Sequence, residues 1–260
     1  PFCSPVSIYA GTYSDAVGSD VVILTSGMAR KAGQSRLELA QVNVDITKTI
    51  IPQIVKYAPN AVYIVVSNPV DIITYAILQC TNLKPEQVIG SGTALDTSRL
   101  RSSIADHLDI SPNSVHAYVF GEHGDTSMIP WSLTTIAGSS MEQYCAEQEH
   151  REIDEEAIIE EVRGAGGEVI KRKGATFYAI ALTINKLCDD VLRDSNNIRT
   201  VSFLMDGKYG ISDVCLSLPA VVGGQGIIKK IYPNMTEPEI GKLRASAEAL
   251  KKVIASLDFS

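Results

Sequence analysis

Short, almost wholly apolar runs separated by helical stretches limit what this chain can fold into more than any other feature. Residues 6–10, 21–24, 61–66 and 88–89 are rich in Val and Ile, with little of the polar alternation of a half-exposed strand. Such runs suit strands buried on both faces, as in a parallel sheet covered by helices on either side. Between them Leu39, Val42, Ile46, Ile50 and Ile54 recur at helical spacing, and residues 70–80 form a second helix after Asn68 and Pro69. The β-α-β rhythm of the first ninety residues predicts a doubly wound sheet.

Beyond Gly92 the character changes to long helices and antiparallel strands. Helices are predicted over 95–108, over 153–173 with Gly164, Gly166 and Gly167 marking a candidate kink, and from Gly174 to about Arg193. Residues 115–120, 198–205 and 214–218 read as strands, the last two flanking the turn Asp206-Gly207. In the first of these, alternation puts His116, Tyr118 and Phe120 on one face and Val115, Ala117 and Val119 on the other. The last helix opens on the capping box Thr236/Glu239 and carries a stripe of Ile240, Leu243, Leu250 and Ile254. Two domains are expected, 1–90 and 91–260, the second an α+β unit.

The 30 Asp and Glu against 23 Lys and Arg give a formal charge of -7. That balance argues against nucleic acid as a partner, and the one basic cluster, Lys171-Arg172-Lys173, is too short to reverse it. No apolar run approaches the length of a membrane span. Cys3, Cys80, Cys145, Cys188 and Cys215 are scattered without metal-ligand spacing, so no metal is expected and reduced thiols in the cytoplasm are the simplest reading. The chain begins Pro1-Phe2 without an initiator methionine, and an upstream segment is expected.

Gly121-Glu122-His123-Gly124-Asp125 sets one histidine among glycines and carboxylates after an apolar run. Histidine titrates near neutrality, and a carboxylate partner fixes its tautomer and raises its pKa, which suits a proton donor. The flanking glycines would let a substrate approach the backbone. A satisfied structural histidine at a strand end is the plainer alternative. Asp96 and Arg99, three apart, share a helix face from which Arg101 is turned away. They are either a surface ion pair or a carboxylate that orients His123 beside a guanidinium that forks a substrate carboxylate. Residues 27–36 carry Arg30, Lys31, Arg36, Gly27 and Gly33, either a solvated loop or one that closes over an anion. No G-x-G-x-x-G opens a helix after a strand.

Taken together, the stretches 67–71 (Ser-Asn-Pro-Val-Asp), 90–101 (Gly-Ser-Gly-Thr-Ala-Leu-Asp-Thr-Ser-Arg-Leu-Arg) and 121–125 resemble the L-lactate/malate dehydrogenase family. Residues 174–178 and 210–218 resemble its bacterial L-lactate members. The resemblance implies an N-terminally truncated Rossmann-type parallel sheet followed by an α+β catalytic domain, with the glycine fingerprint and ribose-binding acid preceding Pro1. It implies NAD as cofactor and a homotetramer. By the same resemblance His123 exchanges the proton, Asp96 holds it, Arg36 polarises the carbonyl and Arg99 grips the substrate carboxylate. Arg30, Asn68 and Thr176 also border the substrate. Tyr13, Gly27, Met28, Thr49, Val66, Ser67, Asn68, Ser91 and Ile180 line the cofactor groove, and Arg101 with His116 match a fructose 1,6-bisphosphate site. Arg30 departs from the lactate pattern, which has glutamine there, and resembles the malate enzymes. An unpaired guanidinium closed over a methyl group would cost about 3 to 5 kcal/mol. Pyruvate is the expected substrate, with oxaloacetate/L-malate and an inactive fragment as the alternatives.

Overall fold

The computed structural model describes residues 5–28, 36–147 and 153–259, with the Arg36 side chain outside this set. Three parallel strands, β1 (Val21–Leu24), β2 (Val62–Val65) and β3 (Val88–Gly90), alternate with α1 (Arg36–Val55) and α2 (Val70–Cys80). Then come α3 (Ala94–Leu108), a small antiparallel sheet of β4 (Val115–His116), β5 (Thr135–Ile136) and β6 (Ser139–Ser140), and the helices α4 (Met141–Glu147), α5 (Glu155–Lys173) and α6 (Tyr178–Leu192). The chain ends with β7 (Asn197–Asp206), β8 (Ser212–Gly223), β9 (Gly226–Lys230) and α7 (Glu237–Ile254). The fold is therefore mixed α/β. One six-stranded sheet, in the order β1-β2-β3-β7-β8-β9, joins the parallel strands to the antiparallel ones through the pair Gly90 and Ser202.

Burial explains why these segments took these forms. All four residues of β2 are buried, as a strand covered on both faces requires. The inner face of α1 is Ala40, Asn43, Val44, Thr47 and Ile51, rather than the expected Leu39, Val42, Ile46, Ile50 and Ile54, of which Val42 is exposed. Two polar residues sit on the inner face because each meets a backbone group, Thr47 Oγ1 donating to Asn43 O at 2.8 Å. One apolar cluster fills the six-stranded sheet and its covering helices, and a second packs α3 and α5 against β4 and β5.

Four expectations are corrected. Residues 6–10 form no strand; Val6, Ile8 and Tyr9 are 72%, 91% and 71% exposed. Apolar content makes a strand only where a ladder partner and a cover exist, and this segment has neither among the described residues. The strand at 115 ends at His116, because the following backbone is held by α3 side chains. Arg101 Nε donates to Ala117 O at 3.0 Å, Thr93 Oγ1 to Val119 O at 2.5 Å, and Val119 N to Thr97 Oγ1 at 3.0 Å. The expected alternation is nevertheless kept: Val115, Ala117 and Val119 pack in one apolar cluster, while Tyr118 and Phe120 stack on each other at 6.0 Å against the other. Helix α5 runs unbroken through its glycines, although each costs about 1 kcal/mol relative to alanine. It is anchored by Ile158 and Val162, by Asp154 accepting from Ala157 N at 3.0 Å, and by Ser103 Oγ donating to Glu161 at 2.5 Å. Finally β9 follows Gly223–Gly226 as the return arm of a hairpin, where no strand was expected. The capping box of α7 is present: Thr236 N and Oγ1 both donate to Glu239, at 2.9 and 2.8 Å.

The junction between β3 and α3 turns at Gly92, whose φ is +49°. A Cβ there would stand 2.3 Å from Ser217 Oγ and 2.7 Å from the Ser202 nitrogen. Gly92→Ala should therefore destabilise the fold by about 2 to 4 kcal/mol, combining left-handed strain with a backbone clash. Urea unfolding should show a lower midpoint at an unchanged slope; an unaltered midpoint would refute the packing described.

Candidate active site

The carboxyl ends of β1, β2 and β3 lie side by side, where open α/β sheets gather their ligands. The chain leaving them is held in place by side chains. Asn43 of α1 accepts from Met28 N at 2.7 Å, and its amide donates to Asn68 O at 2.7 Å and to Met28 O at 3.3 Å. Ser67 Oγ donates to Ser26 O at 2.5 Å. One buried asparagine thus fixes the exits of two neighbouring strands.

The segment carrying His123 is pinned by its backbone to three elements. Gly121 and Ser217 of β8 exchange both backbone hydrogen bonds at 2.9 Å, Glu122 N donates to Ser246 Oγ of α7 at 2.8 Å, and His123 N donates to Asp71 Oδ2 of α2 at 2.8 Å. Gly121 has φ +88°, and a Cβ there would lie 2.7 Å from Ser246 Oγ. This glycine is required by its backbone and by the approach of α7, which corrects the expectation that it admits substrate. Gly124 does line the cavity beside His123.

With its backbone held, the imidazole meets Asp96, Nδ1 to Oδ2 at 2.6 Å. The other oxygen of the same carboxylate takes Arg99 Nη1 at 3.0 Å. Burial by itself would lower the His123 pKa. The hydrogen bond and charge of Asp96, with the charge of Asp71, outweigh that and the opposing Arg99, and raise it above the ordinary histidine value. Asp71 is fully buried, and burial pushes its pKa up to about 6 against the hydrogen bonds from Ser202 Oγ, at 2.5 Å, and His123 N.

Asp96, Arg99 and His123 line a cavity of about 260 Å³ together with Asn68, Ser91 and Thr176. Its walls are Val66 and Ile180 on the sheet side and Val162, Gly166, Gly167 and Ile170 of α5 opposite. Val66, Thr176 and Ile180 are shared with an adjoining apolar hollow of about 670 Å³ that also contains Ile23, Thr25 and Ile184. A polar pocket next to an apolar slot suits the nicotinamide end of a dinucleotide. Ser26 Oγ, at the exit of β1, is buried without a hydrogen-bond partner among the described residues, which is consistent with a ligand completing it. Asn68 and Ser91 would hold the carboxamide end, with Val66 and Ile180 against the ring.

The remaining sequence candidates are distributed unevenly. Gly27, Met28 and Ser67 stand at the strand exits, whereas Tyr13 is exposed on a short 3-10 turn and Thr49 is exposed with its hydroxyl on Asp45 O. Neither lines the two cavities. Arg30 and the Arg36 side chain lie outside the described residues. Arg101 stacks on Tyr118 at 5.3 Å and lines a separate small cavity with Lys186 and Arg199; exposed His116 is not part of that lining. Asn43, Asp71 and Ser246 were not singled out from sequence, although Asp71 ends the quoted 67–71 stretch. Their work is on backbone atoms far along the chain, which leaves no local pattern. Cys80, Cys145, Cys188 and Cys215 are free, no metal-binding cluster occurs among the described residues, and among them no helix is long and apolar enough to cross a membrane.

Comparison with known proteins agrees with this geometry. Residues 1–90 match the family model described as lactate/malate dehydrogenase, NAD binding domain, and residues 93–258 match its alpha/beta C-terminal domain. An L-lactate dehydrogenase of Acetivibrio thermocellus is 45% identical over 99% of this chain and 82% of its own length. L-lactate dehydrogenase 1 of Clostridium acetobutylicum is 44% identical over 98% of this chain and 82% of its own. Among solved structures, the minor L-lactate dehydrogenase from Enterococcus mundtii, in a ligands-bound form, superposes with a TM-score of 0.93 at 35% identity, covering 98% of this chain and 82% of that one. The strand-end rim, the His123–Asp96–Arg99 cluster and these matches lead to one conclusion: the chain belongs to the lactate/malate dehydrogenase family and is an NAD-dependent 2-hydroxy acid dehydrogenase.

Proposed function

We propose that this chain catalyses reversible reduction of pyruvate to L-lactate in the cavity around His123. The observation that carries the proposal is the single Asp96 carboxylate shared between His123 Nδ1 and Arg99 Nη1 at the rim of the parallel sheet. Arg99 offers its remaining N–H groups to the substrate carboxylate. Asp96 occupies Nδ1, so Nε2 is the atom left to face the carbonyl oxygen. Bound NADH supplies the hydride that reaches C2. His123 gives its Nε2 proton to the oxygen as negative charge grows there, and in the reverse direction takes it from the hydroxyl. By the family resemblance Arg36 would polarise the same oxygen. The names of the relatives support lactate as the product.

The raised His123 pKa sets the pH dependence. Reduction needs the imidazolium and should fall as pH rises through that pKa; oxidation needs neutral imidazole and should rise over the same interval. Asp96→Asn removes the partner charge, so both transitions should move to lower pH and kcat/KM should drop by about 100- to 10,000-fold. pH profiles in the two directions check this, and transitions that stay in place would sink the role given to Asp96.

Malate remains the second reading because of Arg30, which resembles the residue that pairs with a second substrate carboxylate. NADH oxidation with pyruvate and with oxaloacetate decides between them, before and after Arg30→Gln. Pyruvate is expected to be preferred in the parent, and Arg30→Gln should raise the pyruvate-to-oxaloacetate ratio at least tenfold. A parent that prefers oxaloacetate would replace lactate with malate.

The proposal extends to a cytoplasmic homotetramer activated by fructose 1,6-bisphosphate at Arg101 and His116. Arg101 and Lys186 line one small cavity with exposed Ile198, beside Arg199, which is paired with Asp190 at 2.5 Å; the two cations next to an exposed apolar residue support an anion held near a subunit contact. Fructose 1,6-bisphosphate should lower the KM for pyruvate, and Arg101→Ala should abolish the response. A parent enzyme indifferent to the sugar phosphate would remove this extension.

A further inference from the structure

We propose that Ser246 and Thr126 are positioning residues for His123: with Glu122 they close a ring of hydrogen bonds that clamps the turn 122–126 to α7 and keeps the imidazole on Asp96. The proposal rests on the role of His123 as proton donor to a 2-oxo acid.

The direction of each proton in the ring follows from the chemistry of its members. Glu122 N donates to Ser246 Oγ at 2.8 Å, and Thr126 Oγ1 donates to Oε2 of the Glu122 carboxylate. A hydroxyl has one proton to give, and that of Thr126 is already engaged by the carboxylate. Ser246 is therefore the donor in its 2.9 Å contact with Thr126 Oγ1. The ring starts at the Glu122 backbone and returns to the Glu122 side chain, and hydrogen bonds that run in one direction strengthen one another.

His123 lies between the two ends of this ring. Contacts from Ser217 and Asp71 fix the backbone as far as His123 N. The ring adds the other side, drawing Thr126 back to Glu122 across Gly124. There the Glu122 side chain lies so close that a Cβ on Gly124 would stand 2.9 Å from Oε1. The support is firm as well. Ser246 is 1% exposed beside buried Leu243, Ala247 and Leu250 on the inner face of α7. Glu239, in the first turn of that helix, accepts from Ser132 N at 3.0 Å and from Ser132 Oγ at 2.6 Å. A hydroxyl among apolar neighbours costs stability unless it is bonded, and this one is bonded to the reactive turn. Arg99, which grips the substrate carboxylate on the proposed function, belongs to α3 and has no part in the ring.

Kinetics over a pH series test the proposal in the parent, Ser246→Ala, Thr126→Val and Thr126→Ser, using whichever of pyruvate and oxaloacetate the parent reduces faster. Ser246→Ala and Thr126→Val should each lower kcat about 10- to 100-fold, while KM for the 2-oxo acid changes less than about threefold. The pH at which reduction declines should move down in both, since burial would lower the His123 pKa with less of the Asp96 bond to oppose it. Asp96, Asp71 and Arg99, the charges that act on His123, are the same in every variant. Thr126→Ser keeps the hydroxyl and should stay within about threefold of the parent kcat. A lower thermal midpoint with kcat and the pH transition unmoved overturns the proposal, because the ring would then serve packing alone. So does a loss in Thr126→Ser as deep as that in Thr126→Val. Should Ser246→Ala fail to fold, Thr126→Val, whose side chain has nearly the shape of threonine, carries the test. His123→Gln separates this proposal from the function it rests on. Parent-like turnover in His123→Gln overturns both; an inactive His123→Gln with parent kcat in Ser246→Ala and Thr126→Val overturns the positioning role alone.

Discussion

One buried carboxylate holds the architecture and the chemistry together. Asp71 sits in the first turn of α2, accepts from Ser202 Oγ on β7 and from the His123 backbone, and so ties the parallel half of the sheet, the antiparallel half and the reactive segment at one point. A charge taken wholly out of water is costly, and its pKa near 6 records that cost. The sign follows directly: a folded-state pKa above the unfolded value means that the neutral acid favours folding below about pH 4 and that this advantage is lost as pH rises through about 6. At neutral pH the ionised group is retained at some expense in stability. In return its charge helps raise the His123 pKa, so the same ion that strains the core supports the proton chemistry.

The stretches most easily read from sequence were those whose partners lie close in the chain. β1, β2 and β3 stand where Val and Ile accumulate, and α2 and α3 coincide with their predicted spans almost to the residue. Asp96 and Arg99 were legible as a pair because three residues of helix bring them together. Long-range satisfaction was less accessible. Asn43 and Thr47 look like the outer face of α1 until the backbone atoms they serve are known, and Gly121 looks like an opening for substrate until α7 is seen against it. Residues 6–10 show the converse failure: the composition of a strand is present, but no neighbouring strand is found for it among the described residues.

Around His123 the protein separates two jobs that a single group performs poorly. Orientation falls to backbone contacts from Ser217, Ser246 and Asp71, none of which occupies the imidazole nitrogens. Tuning falls to Asp96, whose second oxygen is engaged by Arg99. Because Arg99 lowers the histidine pKa while Asp96 raises it, a substrate carboxylate arriving on Arg99 would neutralise the opposing charge and strengthen the imidazolium as the reaction needs it. On the proposed function, binding of the acid and readiness of the proton would thereby be coupled through one carboxylate.

Substrate choice can be divided in the same way between charge and size. On the proposed reading Arg30 would govern which charge the third substituent of C2 carries, from a segment remote in sequence from α5. Gly166 and Gly167 face the cavity around His123 without side chains of their own. The two demands are physically independent, since an unpaired guanidinium penalises an apolar group whatever its length, whereas a recessed wall tolerates length whatever sits at the mouth. A helix with glycines at 164, 166 and 167 persists because Ile158 and Val162 pack into the core and Arg163 and Glu161 hydrogen-bond to Ser127 and Ser103. The face that lines the cavity therefore also fastens the helix, since Val162 and Arg163 stand one turn before Gly166 and Gly167.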